Sequence, residues 1–419
     1  MAVSLVAAAC TGGDTASDNT GSGGAEQVTL DYWVYASGGS NSFADTLVRA
    51  FEAANPNITI EFTKFPEQNY GVKVDTAIAA GKAPDLILAF DLDYMRRGLL
   101  LPLDEMVAEN GIDLSTFNQA IVKGPGEFTC AYEGTLYCLG SNQGGLGMFY
   151  NKDMFDAAGI PYPAPWPPMT VEQFADDACR LRDEATGVWG AAFGSTILPW
   201  EMSVSPDART AVGYINSPET VHQYDLLSGM IRNGCAPTEG VMDPWEQATG
   251  YFAQGKLAMA ITDYDSAKVI ERAGINYGVT GLPTPPGVEP FFDVWADNTG
   301  VLKDSQHPQE AMKFIAFLAT EGQRMAFETD GSIPLDNTLA EEVDWAQGIP
   351  GRLDALEVLS HARPSVFIPN KWDAWGPFYD AWSYMVDGEK TPQQALDDAA
   401  PAIQENLDSA WAVWEKQGG

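Results

Sequence analysis

An α/β protein of two lobes is what this sequence predicts, on three observations. Segments of period-two alternation and segments of helical periodicity follow one another along the chain. About 390 residues remain after a polar N-terminal stretch, too many for one core and enough for about two domains. At Gly144–Pro161 (GGLGMFYNKDMFDAAGIP) an apolar strand, Leu146–Tyr150, opens directly into a helix, and there the chain crosses from one lobe into the other.

The chain opens MAVSLVAAAC, a short apolar run and small residues before Cys10. This pattern fits a secretory signal peptide whose cleavage-point thiol takes a lipid, as in a bacterial lipoprotein. It lacks a basic n-region, its apolar run is short, and Ala7 stands where a lipobox usually has Leu, all of which a mis-set start codon would explain. The alternative is an incidental Cys in a frayed terminus. Thr11–Ala25 carries no large apolar residue and reads as a flexible tether.

Four of the five Cys remain once Cys10 is set aside. Cys130 and Cys138 flank a short turn and would staple a hairpin, with Cys179 and Cys235 as the other pair. Such bonds belong to an exported protein; four buried free thiols are the alternative. No spacing resembles a zinc site, and no metal or cofactor is expected. No run approaches the ~20 apolar residues of a membrane span. A net charge of −35 argues against nucleic acid and anionic lipid as partners.

In chain order, Val28–Val34 alternates as a strand and Gly38-Gly39 breaks it. Ser42 and Asp45 form a capping-box-like start, and Phe43, Leu47, Phe51 and Ala54 share the face of the helix that follows. Ile58–Phe62 is a second strand, Val72–Ala80 a helix closed by Gly81, and Leu86–Phe90 a third strand. This alternation predicts a mainly parallel sheet covered on both faces, with ligands beyond the strands' carboxyl ends. Those ends carry Tyr35–Asn41 (including Ser40), Pro66–Tyr70 (including Gln68) and Phe90–Asp93. After the crossover, helices are expected from Thr170, over Pro218–Met230 and ending at Tyr251–Gly255, with strands Leu257–Thr262 and Tyr277–Leu282. Pro283, Pro285 and Pro286 form a candidate hinge, Gln309–Thr320 an amphipathic helix, and Gly331–Leu335 a further crossing. Gly250–Lys256 (GYFAQGK) is nearly a P-loop, but Leu257 stands where Ser or Thr would hold magnesium and a helix precedes it.

NPNITIEF, AAGKAPDLI, GLGMFYNKDMFDAAGI, FAQGKLAMAIT, INYGVTGLPT, EAMKFIAFLAT and the Gly331–Pro334 element occur in order. Together they resemble the extracellular solute-binding proteins of bacterial ABC sugar importers, the maltose-binding-protein-like family, from about Gln27 to the C-terminus. The resemblance implies a periplasmic-binding-protein-like fold: two lobes, each a sheet flanked by helices, with a ligand cleft between them that closes on binding. The lobes would be residues 26–141 with 284–335 and residues 142–283 with 336–419, preceded by the leader and tether of residues 1–25. It further implies a monomeric carbohydrate-binding lipoprotein outside the cell, delivering its ligand to the permease subunits of an ABC importer.

The family's ligand contacts map onto Phe90, Asp91 and Asp93 after the PDLIL strand and onto Tyr264 and Asp265 after the AMAIT strand. Trp375 matches a C-terminal aromatic, with Trp372 and Tyr379 close by; it would stack on a sugar ring from a surface loop, Pro369–Pro377. Where an acidic residue often precedes the YNKD motif, this chain has Asn142-Gln143-Gly144, whose amides would take over that contact. The residue types agree, since carboxylates and amides bond sugar hydroxyls while aromatic faces cover their C–H patches. Trp200 and Trp295 lie in expected loops, the latter beside Asp297, whereas Trp33 lies in a strand facing a core. The expected ligand is a neutral di- or oligosaccharide. A glycosidase would need two carboxyls about 5–10 Å apart, which 58 acidic residues leave open. A binder of phosphorylated polyols would need Arg or Lys in these loops, which are instead acidic and aromatic.

Overall fold

The computed structural model describes residues 26–36, 42–89, 92–123, 129–194, 200–238, 245–291, 294–363 and 366–417. Cys10, the tether, Ser40, Phe90 and Asp91 lie outside them. Of Gln68, Trp200 and Trp372 only the backbone is described.

Alternation decides the first strand. In β1 (Val28–Ala36), Val28, Leu30, Tyr32 and Val34 are buried. β2 (Ile58–Pro66) runs parallel to it from the pair Val28 and Ile58, and β3 (Leu86–Leu88) is parallel on the other side. The helix Ser42–Ala54 buries Leu47 and Phe51 between β1 and β2 in sequence, and the helix Glu67–Ala79 buries Tyr70 and Val74 before β3. A small hairpin, β4 (Ala131–Tyr132) and β5 (Thr135–Leu136), leads into β6 (Cys138–Asn151), which is buried along all 14 residues.

β6 is the axis of the molecule. Its first half, to Gly145, pairs with β10 (Val294–Val301), which in turn pairs with β3. Its second half, from Leu146, pairs with β8 (Leu257–Asp263) and β9 (Tyr277–Thr280), and β8 pairs with β7 (Trp189–Ala192). One strand therefore belongs to two sheets, β2-β1-β3-β10-β6 and β9-β6-β8-β7, which is the crossover expected at Leu146. The expectation of a mainly parallel sheet is corrected. The pairs of β10 with β3 and β6, and of β6 with β8 and β9, are all antiparallel, because the crossing strands return against the βαβ units they leave.

The other crossings are tied to this axis. Ile333 forms a bridge with Gln143, and Thr284, in the proline-rich segment, bridges Thr170 at the start of the helix Val171–Leu181. That helix begins with the expected capping box: the Thr170 side chain accepts from Gln173 N, and Gln173 Oε1 accepts from Thr170 N at 2.9 Å. The near-P-loop is a helix end, Trp245–Ala253, turning through Gly255 (φ +67°) into β8, the wrong order of elements for phosphate binding.

Three further expectations change. The helix expected from Val72 begins at Glu67 with Pro66 as its cap, so Gln68 lies in a helix and not in a strand-end loop. Pro369–Pro377 is not a loop: Lys371–Ala374 is a helical turn, and the helix Gly376–Val386 carries Pro377 in its first turn, where its missing N–H costs nothing. Cys179 and Cys235 are bonded, joining Val171–Leu181 to the end of the helix Pro218–Arg232. Cys130 and Cys138 are free thiols: the hairpin brings their Sγ atoms to 2.7 Å, longer than the ~2.05 Å of a bond.

Candidate ligand-binding site

The site is built where β6, paired with β10, passes from one sheet to the other. Successive residues of a strand face opposite ways, so Asn142 and Gly144 share one face of β6, while the bulge puts Gly140 on the other. Across the ladder Trp295 stands opposite Gly144, and a bulge sets two residues of β6, Ser141 and Asn142, against the single Asp297 of β10; Asn298, opposite Gly140, faces the other way. A Cβ at Gly144 would come within 2.6 Å of Trp295 Nε1 and 2.9 Å of Cε2, so the indole lies against bare backbone. Trp295 is only half-buried and keeps a surface to offer. Asn142 Nδ2 donates to Asp297 Oδ2 at 3.2 Å, while Asn142 Oδ1 has no partner although the residue is 5% exposed. Three of the residues expected to bind, Asn142, Trp295 and Asp297, are thus brought together on the floor between the two sheets.

Gln143, one residue on, faces the other way and is corrected to a structural role. Its Nε2 donates to Pro334 O (2.8 Å) and Asn337 Oδ1 (3.2 Å), and its Oε1 accepts from Asn118 Nδ2. It fastens β6 to the 333–337 crossing and is 1% exposed.

At the carboxyl end of β1, Tyr35 is half-buried with its ring 5.7 Å from Tyr70. Tyr70 is wholly buried, and its hydroxyl points at the carbonyls of Trp33 and Leu88, both at 3.0 Å. Burial drives that hydroxyl's pKa well above its ordinary value, so it remains a donor. Trp33, expected to face a core, is only half-buried: it lies on the face of β1 opposite the buried Tyr32 and Val34 and packs on Phe65 at 4.9 Å. Asp93 lies in the short helix Leu92–Arg96, and its carboxylate pairs with Arg96 (2.8 Å) and Arg97 (3.1 Å). It is engaged by its own helical turn before any ligand arrives.

From the other sheet, β8 ends at Tyr264 and Asp265 in a 3-10 turn capped by Asp263. Asp265 is exposed. Tyr264 is 1% exposed, with its ring against Gly147, where an added Cβ would lie 2.7 Å from Cε1. It is corrected from an open platform to a packed ring, although its hydroxyl has no partner. Trp375 is 2% exposed, which corrects the expectation of a platform on a surface loop: the two consecutive helices at 371–386 fold it inward. Tyr379 is half-buried on the second of them, 5.9 Å from Phe378.

A cavity of about 20 Å³, lined among others by Tyr32, Leu88, Ser141, Asp297 and Thr299, lies under the helix Ser42–Ala54. It has room for about one water and is no sugar site. Among the described residues no group of three or more His, Cys, Asp or Glu is placed to hold a metal.

The chain belongs to the bacterial extracellular solute-binding proteins, whose family model matches residues 35–325. It is 26% identical over 405 residues to the sn-glycerol-3-phosphate-binding periplasmic protein UgpB of Salmonella typhimurium, covering 88% of this chain and 90% of UgpB. Its fold is shared with the ABC substrate-binding protein Lmo0181 of Listeria monocytogenes, solved in complex with cycloalternan. That match has a TM-score of 0.73 and 23% identity, over 91% of this chain and 99% of the other. It is shared also with maltose-bound T. maritima MalE3, at a TM-score of 0.75 and 18% identity, over 91% and 100%. The fold is the two-lobed one of these binding proteins, and the family is one of substrate-binding proteins rather than enzymes.

Proposed function

We propose that this protein captures an uncharged sugar, a di- or oligosaccharide, outside the cell and delivers it to the permease of an ABC importer. The observation that carries this reading is the half-exposed Trp295 indole lying on Gly144 beside the Asn142–Asp297 pair. A flat aromatic face next to an amide and a carboxylate is the pair of surfaces a pyranose needs, one for its C–H patch and one for its hydroxyls. The ligand lies between lobes of residues 26–141 with 284–335 and 142–283 with 336–419, which close about the three crossings. The protein works as a monomer held to the outer face of the membrane by lipid on Cys10, with no catalytic step and no cofactor.

The relationship to UgpB favours a second reading, a phosphorylated polyol. Against it stands Asp297 on the floor, since a phosphate there would meet a carboxylate of like charge. Calorimetric titration with maltose, maltotriose, mannotriose and sn-glycerol 3-phosphate separates the two. Heat from a neutral sugar alone is expected; heat from the phosphate alone would replace this proposal with the second. Trp295→Ala should weaken sugar binding about thirtyfold, the ~2 kcal/mol of a central aromatic anchor. Unchanged affinity would remove Trp295 from the site.

A further inference from the structure

The small cavity under the helix Ser42–Ala54 has a wall of mixed character. Most of its lining is apolar core, but Tyr32, Ser141, Asp297 and Thr299 line it as well. The bulge falls in β6, so β10 alternates without interruption, and Trp295, Asp297 and Thr299 share one of its faces. The cavity therefore lies on the same face of β10 as the candidate site and meets it at Asp297. Asp297 is half-buried and belongs to both: it lines the cavity, and its Oδ2 accepts from Asn142 Nδ2 on the floor at 3.2 Å. Across the cavity the hydroxyls of Tyr32 and Thr299, both buried, are joined at 2.7 Å. Burial drives the Tyr32 hydroxyl's pKa far above its ordinary value, and the Asp297 charge adds to the rise, so the hydroxyl keeps its proton. Two hydroxyls carry two protons; the bond between them uses one and leaves the other to be donated. At about 20 Å³ the cavity has room for one water, and its polar lining supplies the partners that a buried water needs.

We infer that Tyr32 and Thr299 are positioning residues of the binding site, acting on Asp297 through a water in this cavity. The water accepts a hydrogen bond from the remaining O–H of the Tyr32–Thr299 pair and donates one to the Asp297 carboxylate. With Asn142 donating from β6, the carboxylate is then held at two points and cannot turn away from the floor. Its outward lone pairs are fixed in advance to accept hydroxyl protons, which spares the ligand the cost of ordering them. This rests on the sugar reading of the same site and deepens it: a carboxylate set in this way favours a ligand that donates hydroxyl protons.

The full chain and its Thr299→Val, Thr299→Ser and Tyr32→Phe variants test this by titration with maltose, maltotriose and mannotriose and by melting without sugar. Thr299→Val keeps the shape and removes the hydroxyl; Tyr32→Phe keeps the ring against Phe62 and Phe314. Both should lose about tenfold in affinity for whichever sugar the wild type binds, the scale of one hydrogen bond to a charged group. Thr299→Ser retains the hydroxyl and should stay within about threefold of the wild type. In an Asp297→Asn background, Thr299→Val should change affinity no further, because it acts through that carboxylate. A lowered melting temperature with unchanged affinity would make the two hydroxyls structural only, and equal losses in Thr299→Ser and Thr299→Val would assign the effect to packing. Either result overturns the positioning role while leaving the sugar reading intact. Failure of the wild type itself to bind any neutral sugar overturns both.

Discussion

Two neighbouring amides in β6 have opposite tasks. Asn142 faces the floor with an unpaired oxygen; Gln143 faces the third crossing with every polar atom engaged. Gln143→Ala removes bonds to Pro334 and Asn337 and strands the Asn118 amide. It should cost about 2–3 kcal/mol in urea unfolding and move sugar affinity by less than threefold. A large loss of affinity at unchanged stability would return Gln143 to the site. Sequence alone marks 142–144 as polar but not which way each residue points, since a shift of one residue in register exchanges the faces. The cysteines carry a similar lesson. Their spacing shows that Cys130 and Cys138 are neighbours, and the structure brings the sulfurs to 2.7 Å as thiols. We expect an oxidising compartment to close the bond, so that unfolding the exported protein without reductant releases no thiol at these positions. Two reactive thiols would show the pair stays reduced.

Among the elements, those fixed by local pattern were legible and those fixed by pairing were not. The β1 alternation and the Thr170 capping box lie within a few residues of sequence, and both form. The direction of β10 against β3 depends on where a distant segment returns, which no local window records. Proline misled in one consistent way. Pro66 and Pro377 carry the signal of a loop, yet each stands at the start of a helix, the one place a helix accepts proline readily. The Thr170 cap also anchors a crossing, because Val171 N donates to Thr284 O at 3.2 Å. Thr170→Ala should therefore lower unfolding stability by about 1 kcal/mol, the ordinary cost of a lost cap. A much larger loss would mean the cap also holds the 284 crossing in register.

Over the whole molecule, a cation–π contact joins the β1 sheet's side to the C-terminal helix away from the strands that cross between the sheets. Arg96 ends the short helix after β3, on the β1 side, with its guanidinium held by Asp93. Its Cζ lies 3.9 Å from the ring centre of Trp414, near the end of the helix Pro392–Gln417, and Phe367 backs that ring at 4.5 Å. Pro392–Gln417 packs on Gly376–Val386 and Pro218–Arg232, and the latter on Val171–Leu181, which covers β7 of the other sheet. Opening that swings the two sheets apart would part Arg96 from Trp414. A cation–π contact of ~0.5–2 kcal/mol then favours the closed arrangement by that amount. Because apparent affinity scales with the population of the binding-competent form, Trp414→Ala should weaken sugar binding roughly 2- to 30-fold without touching the floor residues. Small-angle scattering completes the test. The variant without sugar should have a larger radius of gyration than the wild type, and saturating sugar should bring both to the same value. Equal radii without sugar, together with equal affinities, would mean that the Arg96–Trp414 contact does not resist opening.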